Sequence, residues 1–450
     1  MRLATKLVVG VAGSVLAVAL TTPMAYAAPS GPVSTTPASW TPHLPAVTST
    51  TMIVRQLAQC GNTMYAVGKF SQLKRYSVTV TRNNAMSFNA TTGSIRAWDP
   101  NVNGVVNSVS FSADCGTVFL GGKFTTVHGT AVNNFAAVDS SVGAVVTSIP
   151  HSVAGQVESL FRTYNNHLLI GGYFTAGQGS NKPFLFSVNP STGRDDNYVN
   201  LSISGNYNYV DDGGRQSASN ATRVYNMEVS PDGTRLLVMG VFTSVGGHGR
   251  QQIFMLDLGV SAATVDAWYS PEFNQHCATG LPFWLQAAAW SPDGVKVYIA
   301  TTGYKPANGP GYRTSDPRAG LCDAAAAFSS ASQSNLSHLW VNYTGCDSYY
   351  AVAADANDVY VAGHERWQNN PLGCNNQGPG AVSRPGLGGL GPITGLSTAW
   401  NPTRARGLGA DDAIVTSNPA GLWIASDNFD GSDTCGGVYG KAGICFLPYS

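Results

Sequence analysis

The stretch Phe119-Leu120-Gly121-Gly122-Lys123-Phe124 is an apolar run that ends in two glycines, one further residue and an aromatic side chain. Six further copies, the last three of them weaker, lie at 65–70, 169–174, 237–242, 298–304, 360–365 and 423–429. A phrase that recurs along a chain at such intervals is typical of a fold built from repeated supersecondary units. The sequence therefore predicts seven units of similar structure.

Each unit reads as a set of antiparallel strands. Turns such as Ser230-Pro231-Asp232-Gly233 precede the repeated phrase, so the phrase is the second strand of its unit. A third strand follows, and the predicted fourth strand often carries a tryptophan; these are Trp98, Trp268, Trp340 and Trp400. We therefore predict an all-β chain: a seven-bladed β-propeller with four-stranded antiparallel blades, forming a single domain over 28–450.

The N-terminal segment is predicted to close the ring. After the seventh copy there is room for a third strand at 444–447 but not for a fourth. Ser39-Trp40-Thr41-Pro42 matches Ala97-Trp98-Asp99-Pro100, which lies at a predicted fourth strand. An N-terminal strand that completes the seventh blade would remove two exposed sheet edges.

Residues 1–27 are expected to be a secretory signal peptide. Arg2 and Lys6 precede an apolar stretch, and Ala25-Tyr26-Ala27 is a small-residue cleavage site. The remaining chain has no stretch of about 20 apolar residues, so we expect a secreted, extracellular protein without a membrane span.

The charge balance excludes one class of partner. The chain has 25 basic and 25 acidic residues, and the basic residues fall to 23 without Arg2 and Lys6. A nucleic-acid-binding protein normally shows a basic surface. We therefore expect no nucleic-acid partner.

Eight cysteines in an exported chain indicate disulfides. The order of strands in a propeller decides which face each loop lies on, and this favours four pairs: Cys60 with Cys115, Cys277 with Cys322, Cys346 with Cys374, and Cys435 with Cys445. A zinc site is the rival interpretation, but the sequence has no Cys-x-x-Cys or paired histidines at ligand spacing.

The longest loops are predicted to share one face of the ring, where three of the four disulfides would hold them rigid. Loops on a rigid scaffold commonly carry binding sites. Aromatic and acidic side chains there are the candidate ligand-binding residues: Tyr207, Tyr209, Asp211, Tyr312, Glu365 and Trp367. Burial between blades is the competing interpretation for the aromatic residues.

An acidic cluster in a glycine-rich loop makes calcium a candidate cofactor. Asp427, Asp430 and Asp433 offer oxygen ligands at a spacing that suits Ca²⁺, although aspartate is also frequent in turns. No other cofactor is indicated, because the chain lacks a P-loop, and the glycine-rich stretch at 386–391 has no helix after it.

Catalysis has less support in the sequence. The four glutamates are Glu158, Glu228, Glu272 and Glu365, and we expect only the last two on the loop-rich face. A glycosidase needs two carboxylates that face each other, and no spacing marks such a pair.

The repeated Gly-Gly-x-Phe strand ending, with the turn Asn89-Ala90-Thr91-Thr92-Gly93 before Trp98, resembles the repeats of uncharacterised secreted bacterial β-propellers. That resemblance covers nearly all of 28–450 and implies the fold, with no general activity attached. The turn also resembles the tryptophan-docking turn of quinoproteins, but no two cysteines here are adjacent, unlike in the alcohol-oxidising quinoproteins.

Together these patterns predict a monomeric extracellular binding module whose loop-rich face holds a carbohydrate or a protein partner. An extracellular polysaccharide hydrolase or lyase that uses carboxylates on the same face is the alternative. A structural component of the cell envelope is a third hypothesis.

Overall fold

The computed structural model describes residues 31–45, 51–206, 221–274, 277, 283–303, 320–404, 406–428 and 434–449. The predicted signal peptide lies outside these residues. The described chain is all-β, with one short 3-10 helix at Pro271–Asn274. Within the described part, no helix has the length and apolar character needed to cross a membrane.

Seven main antiparallel sheets, numbered 1 to 7 in chain order, make up most of the described structure. In each, the second strand pairs with both the first and the third. Their strands are β1 (Ile53–Cys60), β2 (Thr63–Lys69) and β5 (Ala85–Asn89) in sheet 1; β6 (Val105–Phe111), β7 (Thr117–Lys123) and β10 (Phe135–Asp139) in sheet 2; β11 (Val153–Arg162), β12 (Leu168–Gly177) and β13 (Leu185–Val188) in sheet 3; β15 (Arg223–Val229), β16 (Arg235–Val241), β19 (Ile253–Leu258) and β20 (Ala263–Val265) in sheet 4; β21 (Leu285–Trp290), β22 (Lys296–Thr301), β23 (Ala324–Ser329) and β24 (Trp340–Tyr343) in sheet 5; β25 (Tyr349–Ala354), β26 (Val359–Gly363) and β29 (Leu387–Leu390) in sheet 6; and β30 (Ala410–Ser417), β31 (Ala420–Ser426) and β34 (Ile444–Pro448) in sheet 7.

The remaining strands form small sheets in the connections, most of them between the second and third strands of a main sheet. They are β3 (Gln72–Arg75) with β4 (Val78–Thr81); β8 (Thr126–Val127) with β9 (Thr130–Ala131); β14 (Ile203–Ser204) with β17 (Ser244–Val245) and β18 (His248–Gly249); β27 (Trp367–Gln368) with β28 (Val382–Ser383); and β32 (Thr434–Cys435) with β33 (Val438–Tyr439).

Apolar clusters lie between consecutive main sheets. Tyr65 and Val67 of sheet 1 pack with Val118 and Leu120 of sheet 2, and corresponding clusters join each later pair. A further cluster joins Trp423 and other residues of sheet 7 to sheet 1. Because each sheet is covered on both faces, the second strands are continuous apolar runs rather than alternating ones.

At four positions a tryptophan indole donates a hydrogen bond to the backbone of another sheet or segment. The indole nitrogen of Trp98, which follows sheet 1, donates to the Asp139 carbonyl of sheet 2 at 2.9 Å. Trp268 binds Ser329 of sheet 5 in the same way, at 2.8 Å. The others are Trp340 to Pro392 at 3.2 Å and Trp400 to Val33 at 2.7 Å.

The N-terminal segment lies beside the last strand of sheet 7. The backbone N–H groups of Ser34 and Ala38 donate to Pro448 and Phe446, at 2.7 and 2.8 Å. Trp40 packs against Phe446, and its carbonyl lies against Gly93 in the turn after sheet 1. The segment at 33–44 therefore contacts both the last and the first main sheet.

The predicted fourth strand is complete in only some sheets. Sheets 4 and 5 have one, whereas sheets 1, 2, 3 and 6 have a single bridge at that place. The bridges are Phe88 to Ile95, Val138 to Val145, Val188 to Asp195, and Leu390 to Ser397. After the bridge in sheets 1 and 6, the chain leaves that sheet. The Trp98 indole then binds sheet 2, and the Trp400 indole binds Val33.

All four predicted disulfide pairs are confirmed. Cys60 and Cys115 join the first turns of sheets 1 and 2, while the other three pairs lie near the opposite ends of sheets 5, 6 and 7.

Candidate functional site

A β-bulge interrupts the first strand of every main sheet at the same place. In sheet 1 the pairing with β2 shifts between Val54 and Gln56, so Arg55 has no partner across the ladder. The residues at the corresponding bulges are Arg55, Asn107, Glu158, Tyr225, Gln286, Tyr350 and Asp411. A bulge breaks the alternation of side chains and re-aims them.

The repeated glycine explains why the bulge can form. Gly122 lies opposite Val106, and a Cβ atom at Gly122 would come within 2.1 Å of the Val105 carbonyl oxygen. Equivalent close approaches occur at Gly68, Gly172, Gly240 and Gly363. A side chain would push the two strands apart, so the glycine of the Gly-Gly-x-Phe phrase permits the close approach next to the bulge.

The seven bulge residues line one cavity of about 310 Å³, and we call them the collar. The cavity lies where the first strands begin and the second strands end, which is the end that carries the long loops. All of its other lining side chains except that of Trp284 are also polar; these are Gln56, Ser108, Ser159, Arg223, Asn226 and Asp412.

A second and larger cavity, of about 1180 Å³, adjoins the first along the first strands of all seven sheets. Its lining is richer in apolar residues, among them Leu57, Phe111, Val352 and Trp290. The two cavities share Gln56, Ser159, Asn226, Asp411 and Asp412. A polar chamber thus opens towards the loops, and a chamber of mixed polar and apolar lining opens towards the opposite end.

Six side chains in and next to the collar hold neighbouring sheets together, and we call them the stapling residues. Asn107 of sheet 2 donates to the Val157 carbonyl of sheet 3 at 2.9 Å, and Asp412 of sheet 7 accepts from Leu57 N–H of sheet 1 at 2.9 Å. The other four are Gln56, Ser108, Tyr225 and Asn226, with bonds of 2.6 to 3.1 Å.

Several other polar side chains of the cavity make no such bond. Within the described residues, the side chains of Glu158, Arg223 and Gln286 have no hydrogen-bond partner, and we call them the open residues. They belong to three consecutive sheets, 3, 4 and 5. The Arg223 guanidinium lies 5.3 Å from the ring centre of Trp284, a cation–π contact that orients it.

We call the two adjoining cavities together the channel, and burial raises the pKa of its carboxyl groups. Burial raises the pKa of Asp411 and of Asp412 to about 6; Arg55, 3.5 Å from Asp411, opposes the rise there. Burial also raises the pKa of Glu158, against the opposing charges of Arg223 and Arg55. Glu228, further along the channel, has a pKa raised to about 8 by burial and by the charge of Asp412.

Two of the predicted ligand-binding residues lie away from this cavity. Glu365 is fully buried, and burial raises its pKa well above its usual range. Trp367 is half-buried in β27, where it pairs with Ser383. Tyr207, Tyr209, Asp211 and Tyr312 lie outside the described residues, so their part in binding stays a prediction.

Asp427 of the predicted calcium cluster is fully buried. Its carboxylate lies 3.3 Å from the Arg404 guanidinium and accepts a hydrogen bond from Leu408 N–H at 2.8 Å. Asp430 and Asp433 lie outside the described residues. Within the part of the chain that the structure describes, no three acidic, histidine or cysteine side chains are grouped to hold a metal ion.

The collar was not predicted from the sequence, because the site was expected in the loops and Glu158 was expected away from the loop-rich face. A usable signal exists: two non-aliphatic residues follow a buried residue in the first strands, as in Val54-Arg55-Gln56, Val106-Asn107-Ser108 and Val157-Glu158-Ser159. Such a pair, opposite the glycine of the repeated phrase, marks a bulge.

No protein-family model matches the chain, and no curated protein matches it.

Proposed function

We propose that the seven main sheets are the blades of a seven-bladed β-propeller that the N-terminal segment closes. The apolar cluster between sheets 7 and 1 supports this, as does the hydrogen bond from Leu57 to Asp412 across the same pair. The Trp400 indole, which binds Val33 rather than another main sheet, gives the N-terminal segment its place in the ring.

We propose that the protein is a secreted binding module that holds an extracellular carbohydrate in the collar cavity. The observation that carries this function is the set of open residues, which leaves a carboxylate, a guanidinium and an amide available at one polar cavity. Saccharide hydroxyl groups both donate and accept hydrogen bonds, so they satisfy all three groups. A volume of about 310 Å³ falls at the lower end of the range for small-ligand sites.

A protein partner fits the cavity less well. Protein interfaces are centred on apolar and aromatic anchors, whereas nearly every side chain that lines this chamber is polar. The disulfides at the same end of the sheets fit a rigid rim, to which the predicted Tyr207, Tyr209 and Tyr312 would add aromatic surface.

Retention on insoluble polysaccharides and cell-wall material tests the binding function. We expect the wild-type protein to be retained and the double variant Glu158→Gln with Arg223→Gln to pass through. The variant Trp367→Ala tests the loop surface as the competing site, and a calcium chelator tests the predicted metal. Full retention of the double variant would remove the collar from the site.

The hydrolase alternative is favoured by one feature, which is that Glu158 and Asp411 of non-adjacent sheets line the same cavity. A glycosidase pairs a neutral acid with an ionised carboxylate, and the raised pKa of Glu158 suits the acid. Sugar released into the supernatant of the same retention assay, and lost in Asp411→Asn, would favour the enzyme over the binding module.

A further inference from the structure

We infer that the cavity recognises the end of a neutral saccharide chain, and that Glu158 and Arg223 hold its terminal sugar. This inference rests on the proposed carbohydrate-binding function and adds both the charge class of the ligand and the part of the chain that is bound.

The charges of the open residues indicate a neutral ligand. Glu158 and Arg223 lie on adjacent first strands, near enough for Arg223 to oppose the rise in the pKa of Glu158. They do not form a direct ion pair within the described residues. A carboxylate only accepts hydrogen bonds and a guanidinium only donates them, so two neighbouring hydroxyl groups of a sugar can bridge the gap.

A charged sugar would be held less well at the same place. A carboxylate on the ligand would meet Arg223 favourably but would face Glu158 and Asp411, whereas an ammonium group would face Arg55 and Arg223. Both signs of charge line the same small cavity, so a ligand of either sign is repelled by part of the lining. A neutral sugar avoids this cost.

The shape of the cavity indicates a chain end. The collar comes from the first strands of all seven main sheets, so side chains surround the chamber on every side and it deepens between the sheets. A groove that binds the interior of a polymer is open at both ends along the surface. Side chains surround this chamber, so a sugar chain cannot enter it from the side. One end of the chain must enter first through the mouth, whether or not the chain then continues into the second cavity.

The Gln286 amide extends the same site. Gln286 lies on the first strand of sheet 5. Trp284, just before that strand, makes the cation–π contact that orients Arg223. An amide can donate and accept at a third hydroxyl group, so the open residues of sheets 3 to 5 form one polar side of the chamber.

Titration calorimetry with the full secreted chain tests the inference. The probes are neutral oligosaccharides of increasing length, made from the polysaccharide that retains the protein. Each length is tested in three forms: with both ends free, with the reducing end converted to an alditol, and with the non-reducing end blocked. We expect one protein bound per chain at every length, and loss of binding when one particular end is changed.

The variants Glu158→Gln and Arg223→Gln should weaken binding by at least about tenfold, because each removes hydrogen bonds to a charged group. Glu272→Gln and Arg194→Gln, which change the same residue types outside the cavity, should bind as the wild type does. If either cavity variant fails to fold by circular dichroism, Gln286→Ala replaces it and should also weaken binding.

Three results would overturn the inference while leaving the carbohydrate function intact: more than one protein bound per long chain, equal binding of chains blocked at either end, or tighter binding of uronic-acid or amino-sugar oligosaccharides. Failure to bind any saccharide would instead overturn the carbohydrate function itself.

Discussion

The first strands on two sides of the collar carry the same β-bulge, but the polar side chains on the two sides make different contacts. On the side formed by sheets 7, 1 and 2, Asp412, Gln56 and Asn107 bind the backbone of the next sheet. On the side formed by sheets 3, 4 and 5, Tyr225 and Asn226 also bind the backbone of the next sheet. On that side, however, Glu158, Arg223 and Gln286 have no hydrogen-bond partner within the described residues. The repeat therefore fixes where a polar side chain points, and the identity of that side chain decides whether it joins sheets or is available to a ligand.

Removal of the N-terminal segment should have the largest effect, because it breaks the stapling side where sheet 7 meets sheet 1. Deletion of residues 28–45 takes away the backbone partners of Pro448 and Phe446 and the acceptor of the Trp400 indole. We expect a large drop in melting temperature by calorimetry. An unchanged melting curve would refute closure of the ring by this segment.

Single substitutions should separate the two sides by their effect on the free energy of unfolding. Asn107→Ala and Asp412→Ala each remove a hydrogen bond between sheets and should cost about 1–3 kcal/mol. Glu158→Ala and Gln286→Ala remove no hydrogen bond within the described residues and should not lower the free energy of unfolding by more than about 0.5 kcal/mol. Urea denaturation measures all four, and equal losses on both sides would remove the distinction.

The pH dependence of stability should sharpen the comparison within the channel. Glu228 has a pKa of about 8 in the folded protein, so the folded state keeps a proton that the unfolded chain releases near pH 4.5. Stability is therefore lost as the pH rises through this window. Glu228→Gln should melt like the wild type at pH 4 and be more stable at pH 9 by on the order of 1–2 kcal/mol, since water in the channel screens part of the charge.

Thermal melts of both proteins at the two pH values provide the measurement. The matched control is Glu272→Gln, which removes a carboxylate that pairs with His338 outside the channel. The Glu272 variant should lack the gain at pH 9. A gain of equal size in both variants would show that it does not come from the channel.

The sequence predicted the parts of the fold that depend on local patterns. The Gly-Gly-x-Phe phrase marked the second strands, and the position of each cysteine relative to those strands gave all four disulfides. The match of Ser39-Trp40-Thr41-Pro42 to later repeats placed the N-terminal segment near the last sheet, where its hydrogen bonds lie. To predict these features, it is enough to know the order of the strands along the chain.

The candidate site depended on an irregularity that strand alternation does not contain. One extra residue in β11 turns Glu158 into the cavity, whereas simple alternation assigns it elsewhere. The burial of Glu365 also could not be predicted, because loop position in the sequence does not reveal what covers a side chain. Three-dimensional packing decided both cases.

Hydroxyl-radical footprinting of the full chain, with and without an oligosaccharide from the polysaccharide that retains it, tests the collar most directly. Tyr225 and Trp284 line the cavity, and their oxidation is readily measured by mass spectrometry. We predict that the oligosaccharide protects both residues and leaves Trp367 unchanged. Protection of Trp367 or of residues 207–220, with Tyr225 and Trp284 still oxidised as in the free protein, would contradict binding in the collar.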